Sequence, residues 1–361
     1  MRALIIERLM RSVRYATAAS CGLAAAACLG GLATSIGGAA AATVDGPKLS
    51  WKVATYGNRR ASTEAYHLLS DSVAEATGEN FKIEVVYNVL SDVRTILDGT
   101  KIGAFESGMV IGSYHPARMP SLNVWSLPFL PLGDLKVQAR VAFDYYKLPE
   151  AIKDATAWNV LINMPMIQPP AELMGRGKPP YNINDMKGTR VRAVGGLGKA
   201  FAKIGAVPTT VSSSELLMAL ERGMVDSVAT PIYVLLSDRT YEASNWYTTN
   251  LQLGTVTAFS AVNLDAFNGL PPQYKKLIVE GSVTAVDRQR KIFDEETKRG
   301  IEAFKAKNLV EVTYSAAARN DFINSAARPV WDEWVEEVTK AGYDGKKLLD
   351  FVLTEAAKGS I

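Results

Sequence analysis

Apolar and polar residues alternate with a period of two in SWKVATYG (50–57) and FKIEVVYN (81–88), which predicts two strands. Between them, residues 62–77 place Ala65, Leu68, Leu69, Val73 and Ala76 on one side of a helix. DVRTILDGTKIG continues as a helix, and SGMVIGSY (107–114) is a largely apolar strand of the kind covered on both faces. VQARVAFDYYKLPEAIKDATAW predicts one or two helices, and NVLINMPMIQ (159–168) a further buried strand. The pattern then breaks in QPPAELMGRGKPP, whose Pro and Gly residues mark a crossing between two halves of the chain.

The second half repeats the alternation. TRVRAV (189–194) is a strand that sets Thr189, Val191 and Ala193 on one face and Arg190 and Arg192 on the other. Gly195, Gly196 and Gly198 interrupt it before the short helix KAFAKIG. In SSSELLMALERG, Ser212 and Glu215 have capping-box spacing and Gly223 ends the helix. MVDSVA is a short strand, after which Thr230 and Pro231 read as the N-cap and first residue of a helix through IYVLLSDRTYE. WYTTNLQLGTVTAFSAVNL predicts one or two strands leading back to the first half. One charged helix then fills 271–308, and its length of more than about 50 Å is too great for a single lobe to cover. LVEVTYS is a strand, and helices over 316–340 and 345–358 finish the chain. Strands alternating with helices imply an α/β fold with mostly parallel pairing, in which ligands lie beyond the carboxyl ends of the strands.

Composition changes this picture at the N-terminus. Arg2, Arg8, Arg11 and Arg14 precede an Ala-, Gly- and Leu-rich run, and AAAA at 39–42 offers a small-residue cleavage site, so residues 1–42 read as a secretory signal peptide. Glycines dilute the run too much for a membrane anchor, and AAAC before Cys28 lacks the large aliphatic residue of a lipoprotein signal. Cys21 and Cys28, the only cysteines, fall inside this segment. The chain after residue 42 therefore carries no disulfide, catalytic thiol or zinc–thiolate site. It holds 36 basic and 36 acidic residues, so no basic field argues for nucleic acid as a partner.

The residues of 185–231 carry a specific resemblance. DMKGTRVRAV followed by GAVPTTVSSSELLMALERGMVDSVATP resembles the ligand-binding core of the solute receptors of tripartite ATP-independent periplasmic (TRAP) transporters, the DctP-type family. SLPFLPLGD (126–134) resembles the same family's LPFLF segment, and a weaker similarity runs along the rest of the chain. The resemblance implies a two-lobed, Venus-flytrap periplasmic binding protein with a ligand cleft between the lobes and the long helix spanning both. It implies lobe I at 49–168 plus 257–297 and lobe II at 169–256 plus 298–361. The expected partners are a small carboxylate ligand and the membrane permease subunits of a transporter driven by an ion gradient, with the receptor acting as a periplasmic monomer. No cofactor or metal is expected.

Arg192 is the principal candidate, because a guanidinium presents parallel donors matched to a carboxylate, and the resemblance puts the family's clamp on Arg192 rather than Arg190. Thr230 occupies the place of an asparagine that bonds the same carboxylate, a role compatible with helix capping. Glu172 falls where some members place a second arginine. There it would select an amine, hydroxyl or cation, and the alternative is an exposed loop glutamate. Tyr56 to Arg60 and Ser113 to His115 are expected to form the opposite wall, with Tyr233 and Phe259 as apolar lining. All of these are equally compatible with ordinary packing.

Other chemistries find little support. GGLGKA lacks the spacing of a phosphate loop, His67 and His115 are far apart in sequence, and Ser212 to Ser214 form a helix cap without a nucleophile elbow. Trp331 and Trp334 fit helix packing better than a sugar platform. A lyase or isomerase acting on an organic acid is the alternative class, with Glu172 or His115 as base, but no orienting group accompanies either. A periplasmic sensor subunit feeding a kinase would share the pocket and differ only in partner.

Overall fold

A computed structural model describes residues 44–255 and 258–359. The expected signal peptide lies outside the described residues. Eleven strands among them form two sheets. β1 (Leu49–Thr55), β2 (Phe81–Tyr87), β3 (Ser107–Ile111), β4 (Val160–Met166) and β10 (Ala258–Asn263) make the first, in the order β2-β1-β3-β10-β4. β5 (Glu172–Gly175), β6 (Arg190–Arg192), β7 (Val207–Thr209), β8 (Ser227–Thr230), β9 (Trp246–Thr248) and β11 (Val310–Val312) make the second, in the order β11-β9-β5-β8-β6-β7.

Pairing is parallel at β1–β2, β1–β3, β6–β7, β6–β8 and β9–β11. It is antiparallel wherever β5 or β10 takes part. These are the strands entered after the two short passages between the sheets; the third passage, from β10 to β11, carries the long helix and delivers a parallel strand. A passage of a few residues carries no crossover helix, so the strand it delivers does not run parallel to its neighbours. The two passages hold each other: Leu253 N–H donates to Ala171 O at 2.9 Å, and Ala171 N–H donates to Gly254 O at 2.8 Å.

The helix Pro272–Ala306 runs along both halves. A Cβ at Gly281 would stand 2.8 Å from Leu69, in the helix Glu64–Ala76 beside the first sheet. A Cβ at Gly300 would stand 2.6 Å from the side chain of Ile232, which opens the helix Ile232–Ser237 beside the second. The helix thus approaches each half through a glycine.

The C-terminal helix reaches across the expected division of the chain. The helix Gly345–Ala357 belongs in sequence to the second portion, yet Glu355 pairs with Arg140 at 3.0 Å and Lys347 with Glu150 at 3.0 Å. Tyr343 also donates to the buried Asp154. The last helix therefore lies on 140–154 of the first portion and straps the two together. The predicted helix over 316–340 is likewise two, Ala316–Phe322 and Arg328–Lys340, joined by a π-helical turn at Ile323–Ala327. No described helix is long and apolar enough to cross a membrane.

Candidate functional site

A cavity of about 80 Å³ lies between the two sheets. From the first side come Tyr56 and Arg60 after β1, Met109 and Ile111 on β3, Tyr114 after it, Met166 at the end of β4 and Ala258 on β10. Arg192 at the end of β6, Val194, Leu197, Thr230 at the end of β8, Pro231 and Tyr233 come from the second. The carboxyl ends of the parallel strands thus meet at the gap, as open α/β sheets predict.

Local chemistry explains the arrangement of the arginines. Arg190 is exposed and spends its guanidinium on Asp226, at 2.6 and 3.1 Å. Arg192, two residues on, is buried at 6% exposure, and its Nε donates to Val211 O at 2.9 Å. It makes no salt bridge among the described residues. Burial pulls its pKa below the ordinary arginine range, against the opposing influence of Tyr114, Tyr56 and Asp238. Such a cation is costly to bury without a counter-anion, and its free donors face a cavity.

The rest of the lining is mostly apolar with a few placed donors, the composition of a small-molecule site. Burial pushes the Tyr233 phenol up to about 12, so it stays protonated, and its hydroxyl donates to Gln168 Oε1 at 2.9 Å. Thr230 is buried and ends β8; the helix that follows is capped by Pro231, so the predicted N-cap role of Thr230 is corrected.

Several expected site residues lie outside the cavity lining, His115, Phe259, Ser113 and Glu172 among them. Phe259 neighbours Ala258 on β10 and therefore faces the other side of the sheet, where its ring meets Tyr146 at 6.4 Å. Ser113 is also absent from the lining; its Cβ faces Gly195 instead, and the adjacent Tyr114 reaches the cavity. Glu172 is not an exposed loop residue, and it does not line the cavity. It sits in β5 at 4% exposure, accepting from Thr248 Oγ1 at 2.5 Å, Leu251 N–H at 3.1 Å and Gln252 N–H at 3.0 Å. The carboxylate thereby pins the passage that returns to the first sheet. Burial raises its pKa, while Thr248, Gln252, Leu251 and Arg319 pull it back toward the charged form.

Glu172→Gln puts an amide NH2 against a backbone donor and leaves one N–H unsatisfied. The expected cost is about 1–3 kcal/mol of unfolding free energy, read by denaturant titration, with the relative affinities for plain and amine-bearing acids unchanged.

Arg60 belongs to the expected wall segment Tyr56 to Arg60, within which spacing does not single it out. It follows Arg59, which is exposed and paired with Glu64 at 2.7 Å. Its own side chain is only 9% exposed and reaches back over Gly57, where φ is +72° and a Cβ would stand 3.3 Å from the guanidinium. The paired Gly57 and Arg60 were the available signal. Among the described residues there is no group of three or more His, Cys, Asp or Glu arranged to hold a metal.

Two α/β halves, a cavity between them and a buried cation on its wall define a two-lobed solute receptor. The chain belongs to the DctP family, bacterial extracellular solute-binding protein family 7, whose profile matches residues 54–337, and so to the receptors of TRAP transporters. It is 25% identical over 252 residues to a monocarboxylate 2-oxoacid-binding periplasmic protein of Nostoc, covering 66% of each chain. With the 2,3-diketo-L-gulonate-binding periplasmic protein YiaO of Escherichia coli it shares 23% identity over 321 residues, 82% of this chain and 91% of that one. The fold matches a TRAP solute-binding protein of Rhodoferax ferrireducens crystallised with benzoate, at a TM-score of 0.77 and 22% identity over 86% of this chain and 98% of that one.

Proposed function

We propose that this receptor captures a small organic acid in the periplasm, with Arg192 clamping the carboxylate, and hands it to the permease as a monomer freed of residues 1–42. The carrying observation is the buried, unpaired Arg192 guanidinium on the wall between two lobes. Thr230 supplies a hydroxyl beside it, and Tyr56 and Tyr233 add protonated phenols from opposite walls. Lobe I is taken as 49–168 plus 257–297 and lobe II as 169–256 plus 298–361, with Gly345–Ala357 packed back on lobe I. A ligand touching both lobes stabilises the closed form by its differential contacts. The similarity to receptors named for 2-oxoacids and for a diketo sugar acid supports an acid as cargo.

Calorimetry and melting-point shifts against a panel of organic acids test this reading, with NMR of the recovered ligand. Saturable binding of an acid that is returned unaltered is the expected result. Turnover of the acid, or tighter binding of cations than of acids, contradicts it.

A further inference from the structure

Arg60 brings a second guanidinium to the cavity from the wall opposite Arg192. Its Nε is buried without a hydrogen-bond partner. The nearest carboxylate is Asp238, with Nη1 to Oδ1 at 3.8 Å, beyond hydrogen-bond reach. Asp238 itself accepts from Ser213 at 3.1 Å and Ser237 at 3.2 Å, so it is held in place independently of Arg60. Among the described residues, no carboxylate lines the cavity. The neighbourhood therefore carries two guanidiniums and one carboxylate, which leaves one unit of positive charge for a ligand to neutralise.

Size narrows the choice further. At roughly 10–15 Å³ for each water-sized position, 80 Å³ accommodates about five to eight such positions, the scale of an acid of few carbons.

We propose that Arg60 and Asp238 make the site selective for a short monoanionic acid bearing a second, uncharged oxygen acceptor, with its carboxylate at Arg192 and its oxo or hydroxyl oxygen at Arg60. This rests on Arg192 as the carboxylate clamp. A plain alkyl acid leaves the Arg60 donors facing hydrocarbon, and an unsatisfied buried donor is penalised. A dianion satisfies both arginines, but it leaves an excess negative charge beside Asp238 in a water-poor space. Asp238 thus excludes, and Arg60 selects.

The test compares 2-oxobutanoate, butanoate and malonate by calorimetry on the parent protein, Arg60→Met and Asp238→Asn. The parent is expected to bind 2-oxobutanoate at least about tenfold tighter than either competitor. Arg60→Met brings the oxo-to-plain ratio to about one and weakens both monoanions, because Asp238 then stands without a balancing second guanidinium. Asp238→Asn, which leaves Arg60 in place, shifts the ranking toward malonate by about tenfold. An oxo-to-plain ratio that survives Arg60→Met, or a malonate ranking untouched by Asp238→Asn, overturns the proposal and leaves the Arg192 clamp standing. Failure of every acid to bind the parent removes both together. Should Arg60→Met not fold, Asp238→Asn decides alone.

Discussion

Arg192→Ala is expected to abolish ligand-induced thermal stabilisation while the unliganded melting point stays at or above that of the parent. The two halves of this result have separate causes. In the liganded protein the guanidinium and a carboxylate form a desolvated pair. Truncating one partner of such a pair costs about 2–5 kcal/mol, or about thirtyfold to several-thousandfold in affinity. In the unliganded protein the same guanidinium is buried with one hydrogen bond, to Val211, and no carboxylate partner. Its pKa is lowered by burial, so folding disfavours its charged form and removing the charge removes that cost. Arg190→Ala is the control: its side chain is exposed and paired with Asp226, away from the cavity, and acid affinity should not change. Equal affinity in the Arg192 variant and the parent, by calorimetry, eliminates the clamp.

The contrast between these two arginines shows how far the sequence could be read. Alternation put Arg190 and Arg192 on one face, and the match to the family's motif chose between them; nothing in period two distinguishes a strand's exposed entrance from its buried exit. The strands with full alternation, β1 and β2, and the long helix fell within a residue or two of their observed ends. β5 and β7 did not stand out, because ELMG and VPT are three or four residues among prolines and glycines, too short to show a period. Without β5 the sequence leaves Glu172 between two readings. The match to the family's second arginine sets its carboxylate over a ligand, and the alternative is an exposed loop. Within β5, opposite Thr230 of β8, it is turned toward the backbone of Leu251 and Gln252. Phe259 was misplaced for the opposite reason: its strand was recognised, but a one-residue error of phase exchanges the cavity face for the packed one. Within the expected wall segment Tyr56 to Arg60, Gly57 is the one local sign that singles out Arg60, while its approach to Asp238, 178 positions away, leaves no mark in the sequence.

The glycines after Arg192 yield the second large effect. Gly196 lies in the first turn of the helix Gly195–Lys203, where alanine ordinarily favours helix by about 0.5–1 kcal/mol. A Cβ there would stand 2.4 Å from the backbone carbonyl oxygen of Ser126 and 3.1 Å from Pro128 Cδ. Ser126 belongs to the portion of the chain that carries the first sheet, so this is a contact between the halves, with a backbone atom that cannot swing aside. Overpacking of this kind costs about 1–3 kcal/mol, which outweighs the helical gain. If the lobes separate when empty, the clash exists only in the closed form. Gly196→Ala is then expected to leave the unliganded melting point unchanged, weaken acid binding by about five- to 150-fold, and reduce the contraction that small-angle scattering records on ligand addition. A fall in the unliganded melting point with affinity retained would mean that Gly196 and Ser126 stay in contact throughout, and that closure turns about some other pair of surfaces.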